Sequence, residues 1–189
     1  RWVVFAAGSV LLGLVLIALA LYWHFVRSGP EPRPWHQVVL ADFKAADADE
    51  ITDLKGYVQL EDRLFAELLD RVYAGSAQAD RIPFNRFSAG SRSDPGTWPV
   101  NWNRTYHLRP APDGGESRGA ALLLHGLTDS PYSLRSVGEH LASRGFEVVG
   151  LRLPGHGTAP SGLLKFRVED MQAAVRLAML DLRRQVGPD

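Results

Sequence analysis

The sequence predicts an α/β chain preceded by an apolar span, and three observations carry that expectation. Ala120–Leu124 is a short, wholly apolar run that stops at His125-Gly126. A second run, Phe146-Glu147-Val148-Val149-Gly150-Leu151, follows after one helix-like interval. A third run, from Trp2 to Val26, is apolar apart from Gly8, Ser9, Gly13 and His24.

The first run has the composition of a parallel strand covered on both faces. Ser130-Pro131 then offers a helix cap with proline at the first helical position. Leu134, Val137 and Leu141 mark the apolar side of that helix, and Gly145 ends it. After the second strand, Leu153-Pro154-Gly155-His156-Gly157-Thr158-Ala159-Pro160 holds too many turn formers to be anything but a loop. Met171, Val175, Ala178 and Leu182 mark the next helix, stopped by Gly187 and Pro188. Strand, helix, strand, helix with short connections predicts a parallel sheet with right-handed crossovers. A strand, a glycine turn and a helix start place backbone N–H groups at the carboxyl edge of such a sheet.

At about 1.5 Å per residue, the run from Trp2 to Val26 is long enough to cross a hydrocarbon core of roughly 30 Å. Trp2, Tyr22 and Trp23 suit interfacial anchors, and Arg1 and Arg27 bracket the run. Ala18-Leu19-Ala20 resembles a signal-peptide cleavage site, but the apolar core before it is long for that class and Leu21-Tyr22-Trp23 stays apolar after it. A single-pass anchor is therefore expected. Arg27, Arg33 and Lys44 would favour a cytoplasmic domain by the positive-inside rule. Basic residues ahead of Arg1 would reverse that, and an extracytoplasmic domain is the expectation adopted.

Ser28-Gly29-Pro30-Glu31-Pro32-Arg33-Pro34 is a stiff spacer. Leu54, Tyr57, Leu60, Leu64, Leu68 and Val72 recur at helical spacing, with Phe65 and Leu69 widening the stripe, Asp53 as N-cap and Gly75 as stop. This helix is read as packed on the main domain rather than as a lid or docking surface. Residues 82–102 form an irregular connection in which Trp98 and Trp102 pack on the domain rather than line a pocket. Thr105-Tyr106-His107-Leu108 is a short strand with His107 facing solvent, and 110–115 is a turn. The organisation is thus 1–27 anchor, 28–103 linker and extension, and 104–189 α/β core.

Net charge is zero, which gives no sign of a nucleic-acid partner. Cysteine is absent, so disulfides, thiolate metal sites and a cysteine nucleophile are excluded. The six histidines are dispersed without ligand spacing, and neither metal nor cofactor is expected. The oligomeric state is open.

Leu122-Leu123-Leu124-His125-Gly126-Leu127, followed after one helix and one strand by Arg152-Leu153-Pro154-Gly155-His156-Gly157-Thr158, resembles the α/β-hydrolase superfamily. The likeness is to its bacterial esterase, monoacylglycerol-lipase and serine-aminopeptidase-like branch, over about residues 104–189. It implies the N-terminal half of an α/β-hydrolase parallel sheet and a serine hydrolase acting on esters of lipid-like or small acyl groups. It also implies an oxyanion-hole donor at the backbone N–H of Leu127, in the loop His125, Gly126, Thr128. Gly126 is expected to permit the turn by lacking a Cβ. His125 and His156 are expected to order their loops, and His140 to lie on the surface. Thr128 stands where epoxide hydrolases and haloalkane dehalogenases commonly carry proline, which favours ester or peptide bonds.

Arg1 in first place and Gly187-Pro188-Asp189 in last lead to the expectation of a fragment, with the Ser, Asp or Glu, and His of the triad beyond it. Gly115-Glu116-Ser117-Arg118-Gly119 fits the Gly-x-Ser-x-Gly pattern, but it opens a strand where a nucleophile elbow must open a helix. A non-catalytic membrane-tethered binding module and a serine aminopeptidase are the alternatives.

Overall fold

The computed structural model describes residues 2–29, 31–110 and 117–187. Most of the turn expected over 110–115, the Gly115-Glu116 half of the apparent elbow, Arg1, Pro30 and Pro188 lie outside them. The chain divides into two compact units, residues 1–32 and 33–189.

The first unit is one helix, α1 (Trp2–Arg27). Its stretch Phe5–Arg27 has mean hydropathy 2.4 and is long and apolar enough to span a membrane. Its large apolar side chains are exposed around the whole circumference, as the absence of a polar face predicts.

The second unit is mixed α/β. It contains α2 (Pro34–Gln37), α3 (Leu54–Leu68), β1 (Tyr106–Leu108), β2 (Ala120–Leu124), α4 (Arg135–Ser143), β3 (Glu147–Leu151) and α5 (Val168–Val186). The strand order is β1-β3-β2. β2 and β3 are parallel, as expected, with Leu122 opposite Val149. β1 runs antiparallel to β3, so the sheet is mixed rather than parallel. Nor is β2 covered on both faces. It is an edge strand, half-buried in its middle and with Leu124 exposed, and among the described residues its outer edge pairs with no strand.

Alternation of side chains sorts the sheet into two faces. Leu122, Val149 and Leu151 join Tyr57, Leu60, Ala174, Leu177 and Leu182 in the main core, which puts α3 and α5 on one face. Tyr106, Leu123 and Gly150 meet α4 on the other. Tyr106 lies opposite Gly150, and a Cβ built on that glycine would stand 2.1 Å from the tyrosine ring. The same ring closes on Gly138 of α4, whose Cβ would lie 3.1 Å from the Tyr106 hydroxyl. The buried side of α4 is therefore Gly138 and Ala142 rather than the expected apolar row, and Val137 is exposed. A bulky strand residue selects small helix residues, which hydrophobic spacing does not reveal.

α3 begins at Asp53, whose carboxylate accepts from the Gly56 N–H at 2.7 Å. A five-residue π-type turn, Leu69–Tyr73, continues it. The wider turn leaves Leu69 exposed, outside the expected stripe, and brings Val72 to full burial. Val72 then joins Phe65, Leu68, Phe87 and Ala159 in a second cluster, with Trp35 stacked on Phe87 at 5.2 Å. Residues 33–103 are thus packed into the same unit as the sheet. Ser130 adopts an N-cap backbone, but its hydroxyl donates to Asn103 Oδ1 at 2.6 Å, and Pro131 opens a 3-10 turn rather than an α-helix. His107 does not simply face solvent, because its Nε2 lies 2.5 Å from Glu147 Oε1.

The tightest junction between residues 33–103 and the sheet is electrostatic. Arg152, the first residue after β3, is 0% exposed. Its Nε donates to Glu61 Oε1 at 3.0 Å, and its two Nη atoms donate to the two oxygens of Asp42 at 2.9 and 2.7 Å. Glu61 is also fully buried and accepts from the Thr105 hydroxyl and N–H. The Tyr57 hydroxyl donates to the Arg152 carbonyl at 2.7 Å. Burial opposes the charge on Arg152, but Asp42, Tyr57 and Glu61 hold its pKa well above the ordinary value. Burial likewise opposes charge on Asp42, yet the Arg152 guanidinium keeps that carboxyl below the usual range.

Three outcomes follow. Arg152→Met strands two buried carboxylates and should cost about 3–5 kcal/mol in urea unfolding of the full chain followed by tryptophan fluorescence. Asp42 has a folded pKa below its unfolded one, so its contribution is complete above about pH 4 and disappears as pH falls through the folded value. Asp42→Asn should therefore lower stability at neutral pH and flatten the loss of stability below about pH 4; an acid limb as steep as wild type would contradict this assignment. Gly150→Ala should cost more than about 2 kcal/mol by the same measurement, because Tyr106 cannot move without breaking the β1–β3 pairing.

Candidate functional site

Parallel pairing brings the carboxyl ends of β2 and β3 to one edge of the sheet, where ligands of open α/β folds bind. Two loops leave that edge. One runs from His125 to Ser130 and the other from Arg152 to Ala159.

His125 joins them. It is 6% exposed, and its Nε2 accepts from the Leu153 N–H at 3.1 Å. Its Nδ1 lies 3.0 Å from the Gly126 carbonyl, so the proton sits on Nδ1. Both ring nitrogens are therefore engaged with backbone, which leaves no lone pair to take a proton from a nucleophile. Burial pushes the ring below the usual histidine range, with nearby His156 adding to the effect and the bond to Gly126 opposing it.

Beyond His125 the chain turns, and the Asp129 N–H donates to the Gly126 carbonyl at 3.2 Å. Gly126 does not have the expected role in this turn. Its φ lies outside the left-handed region, and an added Cβ would meet nothing within 4 Å. Any small residue could make the turn, because the bonds from His125 and Asp129 fall on the backbone carbonyl. Leu127 is 66% exposed and Thr128 is exposed. The backbone N–H groups of both donate to no acceptor among the described residues.

The second loop is set by the arginine network. The Gly155 N–H donates to Asp42 Oδ2 at 2.7 Å, and the His156 carbonyl accepts from Arg152 Nη1 at 3.0 Å. Gly155 and Gly157 hold φ of +81° and +71°, which only glycine adopts freely. His156 is 2% exposed, and its ring centroid stands 5.1 Å from that of His125. Its Nδ1 lies 2.9 Å from the Pro154 carbonyl, while its Nε2 is buried without a partner.

A pocket of about 200 Å³ opens between the loops, lined by Thr128, Asp129 and Ser130 on one side and by residues 155–160 on the other. Arg86 and Phe87, from the irregular 82–102 connection, close it. Reading the sequence gave no role to Arg86, Asp42 or Glu61. Glu61 carried a signal, because a carboxylate four residues after Tyr57 falls within the apolar stripe of α3. Trp98 and Trp102 pack on Tyr132 and Tyr106, and His140 is exposed.

Neither the serine of the apparent elbow nor the one that ends the first loop has a nucleophile's surroundings. Ser117 Oγ donates to the Gly119 carbonyl ahead of β2, and the Ser130 hydroxyl is committed to Asn103. Among the described residues of the second unit no hydrogen bond joins a serine hydroxyl to a histidine ring. No group of three or more His, Asp or Glu among the described residues is placed to hold a metal.

His125→Ala should cost about 1–3 kcal/mol, because the buried Leu153 N–H loses its acceptor. The folded pKa of His125 lies below its unfolded value, so the unfolded chain binds the proton first as pH falls from about 6.5. Wild-type stability should decline over that window, and His125→Ala should lack that component of the decline in urea midpoints taken from pH 8 to 5.

Comparison with protein-family models and with curated proteins finds no match for this chain.

Proposed function

We propose that the chain is the membrane-anchored amino-terminal part of a serine hydrolase of the α/β-hydrolase type, acting on carboxylic esters of lipid-like or small acyl groups. The observation that carries the reading is the pair of unengaged backbone N–H groups, Leu127 and Thr128, at the carboxyl end of β2. They sit on a turn whose position is fixed from behind by His125.

Acyl transfer places negative charge on the substrate carbonyl oxygen, and N–H groups already oriented toward that oxygen stabilise it without reorganising. In this reading Leu127 supplies one donor and the residue after the nucleophile supplies the other. The nucleophile, acid and base come from sequence beyond residue 189. The unpaired outer edge of β2 suits a following parallel strand, whose carboxyl end would then stand beside the Leu127 turn. Helix α1 holds the enzyme at the membrane, with its domain on the extracytoplasmic side.

The test is fluorophosphonate labelling of the product of the whole gene. A label on a serine beyond residue 189, on a strand-to-helix turn, is the expected result. A full-length product that is folded and takes no label overturns the reading.

A further inference from the structure

Arg86 and His156 close the same pocket, and each holds a buried nitrogen without a partner. For Arg86 the atom is Nε. Its Nη2 donates to the Gly157 carbonyl at 3.0 Å, which places the guanidinium one residue along the chain from His156. Among the described residues Arg86 forms no ion pair. Tyr73 and Asp94 raise its pKa through space, and the Asp94 carboxylate directs its hydrogen bonds to the Tyr73 hydroxyl and the Gly90 and Gly96 N–H groups rather than to Arg86. Burial is the larger effect and lowers the pKa of Arg86. Arg86 is a partly buried guanidinium whose Nε has no acceptor and on which the Asp94 carboxylate acts only through space, so an anionic ligand in the pocket would add the direct partner it lacks.

His156 specifies the ligand further. The Pro154 carbonyl can only accept, so Nδ1 carries a proton, and in the tautomer with that single proton Nε2 presents a lone pair. The pocket is thus lined by a guanidinium and an imidazole that each hold an unpartnered nitrogen, a donor on Arg86 and, in that tautomer, an acceptor on His156, with Thr128 and Thr158 also on its wall. The Asp129 carboxylate lies on the exposed rim, where its Oδ1 accepts from the Ser130 N–H. An oxyanion that also carries a hydroxyl satisfies both unpartnered nitrogens. Carboxylates and phosphodiesters lack that hydroxyl at neutral pH, whereas inorganic phosphate keeps one and a phosphate monoester retains it in part near its second pKa of about 6.

We propose that this pocket is a phosphate-binding subsite, with Arg86 as the charged donor and His156 Nε2 as the acceptor for a P–OH group. It adjoins the Leu127 turn but requires no hydrolysis, so its failure and that of the hydrolase reading are separately observable.

The experiment is calorimetric titration of the full chain in detergent micelles at about pH 6.5, where phosphate retains a P–OH. The probes are inorganic phosphate, glycerol phosphate, sulfate and dimethyl phosphate. Saturable binding of inorganic phosphate or glycerol phosphate is expected, with sulfate and dimethyl phosphate at least tenfold weaker because neither carries the hydroxyl. Tighter binding of glycerol phosphate points to an ester, and tighter binding of the inorganic ion points to free phosphate; both support the subsite. Arg86→Gln should abolish binding, and Arg86→Lys, which keeps charge but lacks Nε, should weaken it at least tenfold. Circular dichroism identifies a variant that has lost its fold. If Arg86→Gln unfolds, Arg86→Lys and the wild-type phosphate-to-sulfate ratio decide. No saturable phosphate binding, sulfate binding equal to phosphate, or unchanged binding in a folded Arg86 variant overturns the proposal.

Discussion

The second unit depends on one buried cation. Arg152 sits at the end of β3 with no exposed surface, and a bare guanidinium there would forbid folding. Asp42 and Glu61 arrive from segments far away in sequence to neutralise it. They are present only when α3 and the residues before it are packed on the sheet. Residues 33–103 are therefore a condition for burying the last residue of the β3 path. The same carboxylate that neutralises Arg152 also receives the Gly155 N–H, and the guanidinium also reaches the His156 carbonyl. The network that joins the two parts of the unit thus shapes the second loop of the candidate site. From there the Leu153 N–H passes the constraint to His125 and to the Leu127 turn.

Much of this architecture was legible in the sequence, and the illegible part has a common cause. Hydrophobic periodicity reports which residues leave water by being apolar, so it found α1, the stripe of α3, both runs that became β2 and β3, and the course of α5. It is silent on residues buried by pairing. Glu61 and Arg152 are both fully buried, and although burial raises the Glu61 pKa, pairing with Arg152 opposes that and makes a carboxyl group there tolerable. Periodicity also fails where burial is achieved by smallness. Gly138 and Ala142 face the sheet because the Tyr106 ring needs the room, and no apolar row marks them. Strand direction was out of reach for β1, since three residues without a neighbouring helix do not distinguish an antiparallel neighbour from a parallel one.

At the site, the residue types around His125 and Gly126 were readable, but the reason for one of them was not. Gly126 looked like a conformational requirement, yet its backbone is ordinary and the space beside it is open. The glycines that the backbone does require are Gly155 and Gly157, in the loop across the pocket. His125, in turn, is held by two backbone groups in a single tautomer. A ring so committed can position amides but cannot shuttle protons.

The two arginines near the second loop make the closing contrast. Arg152 has two carboxylates and two carbonyls, and nothing about it calls for a ligand. Arg86 has one carbonyl, a neighbouring phenyl ring at 5.3 Å and an Nε with no acceptor. Arg152 is fully buried and Arg86 only partly so. The difference lies in position. Arg152 faces the packed interior, where compensation had to be internal for the chain to fold. Arg86 faces a cavity at the carboxyl edge of two parallel strands, where compensation can come from outside. A charge left half-satisfied beside such a cavity costs folding energy, and a complementary group that bound there would return it.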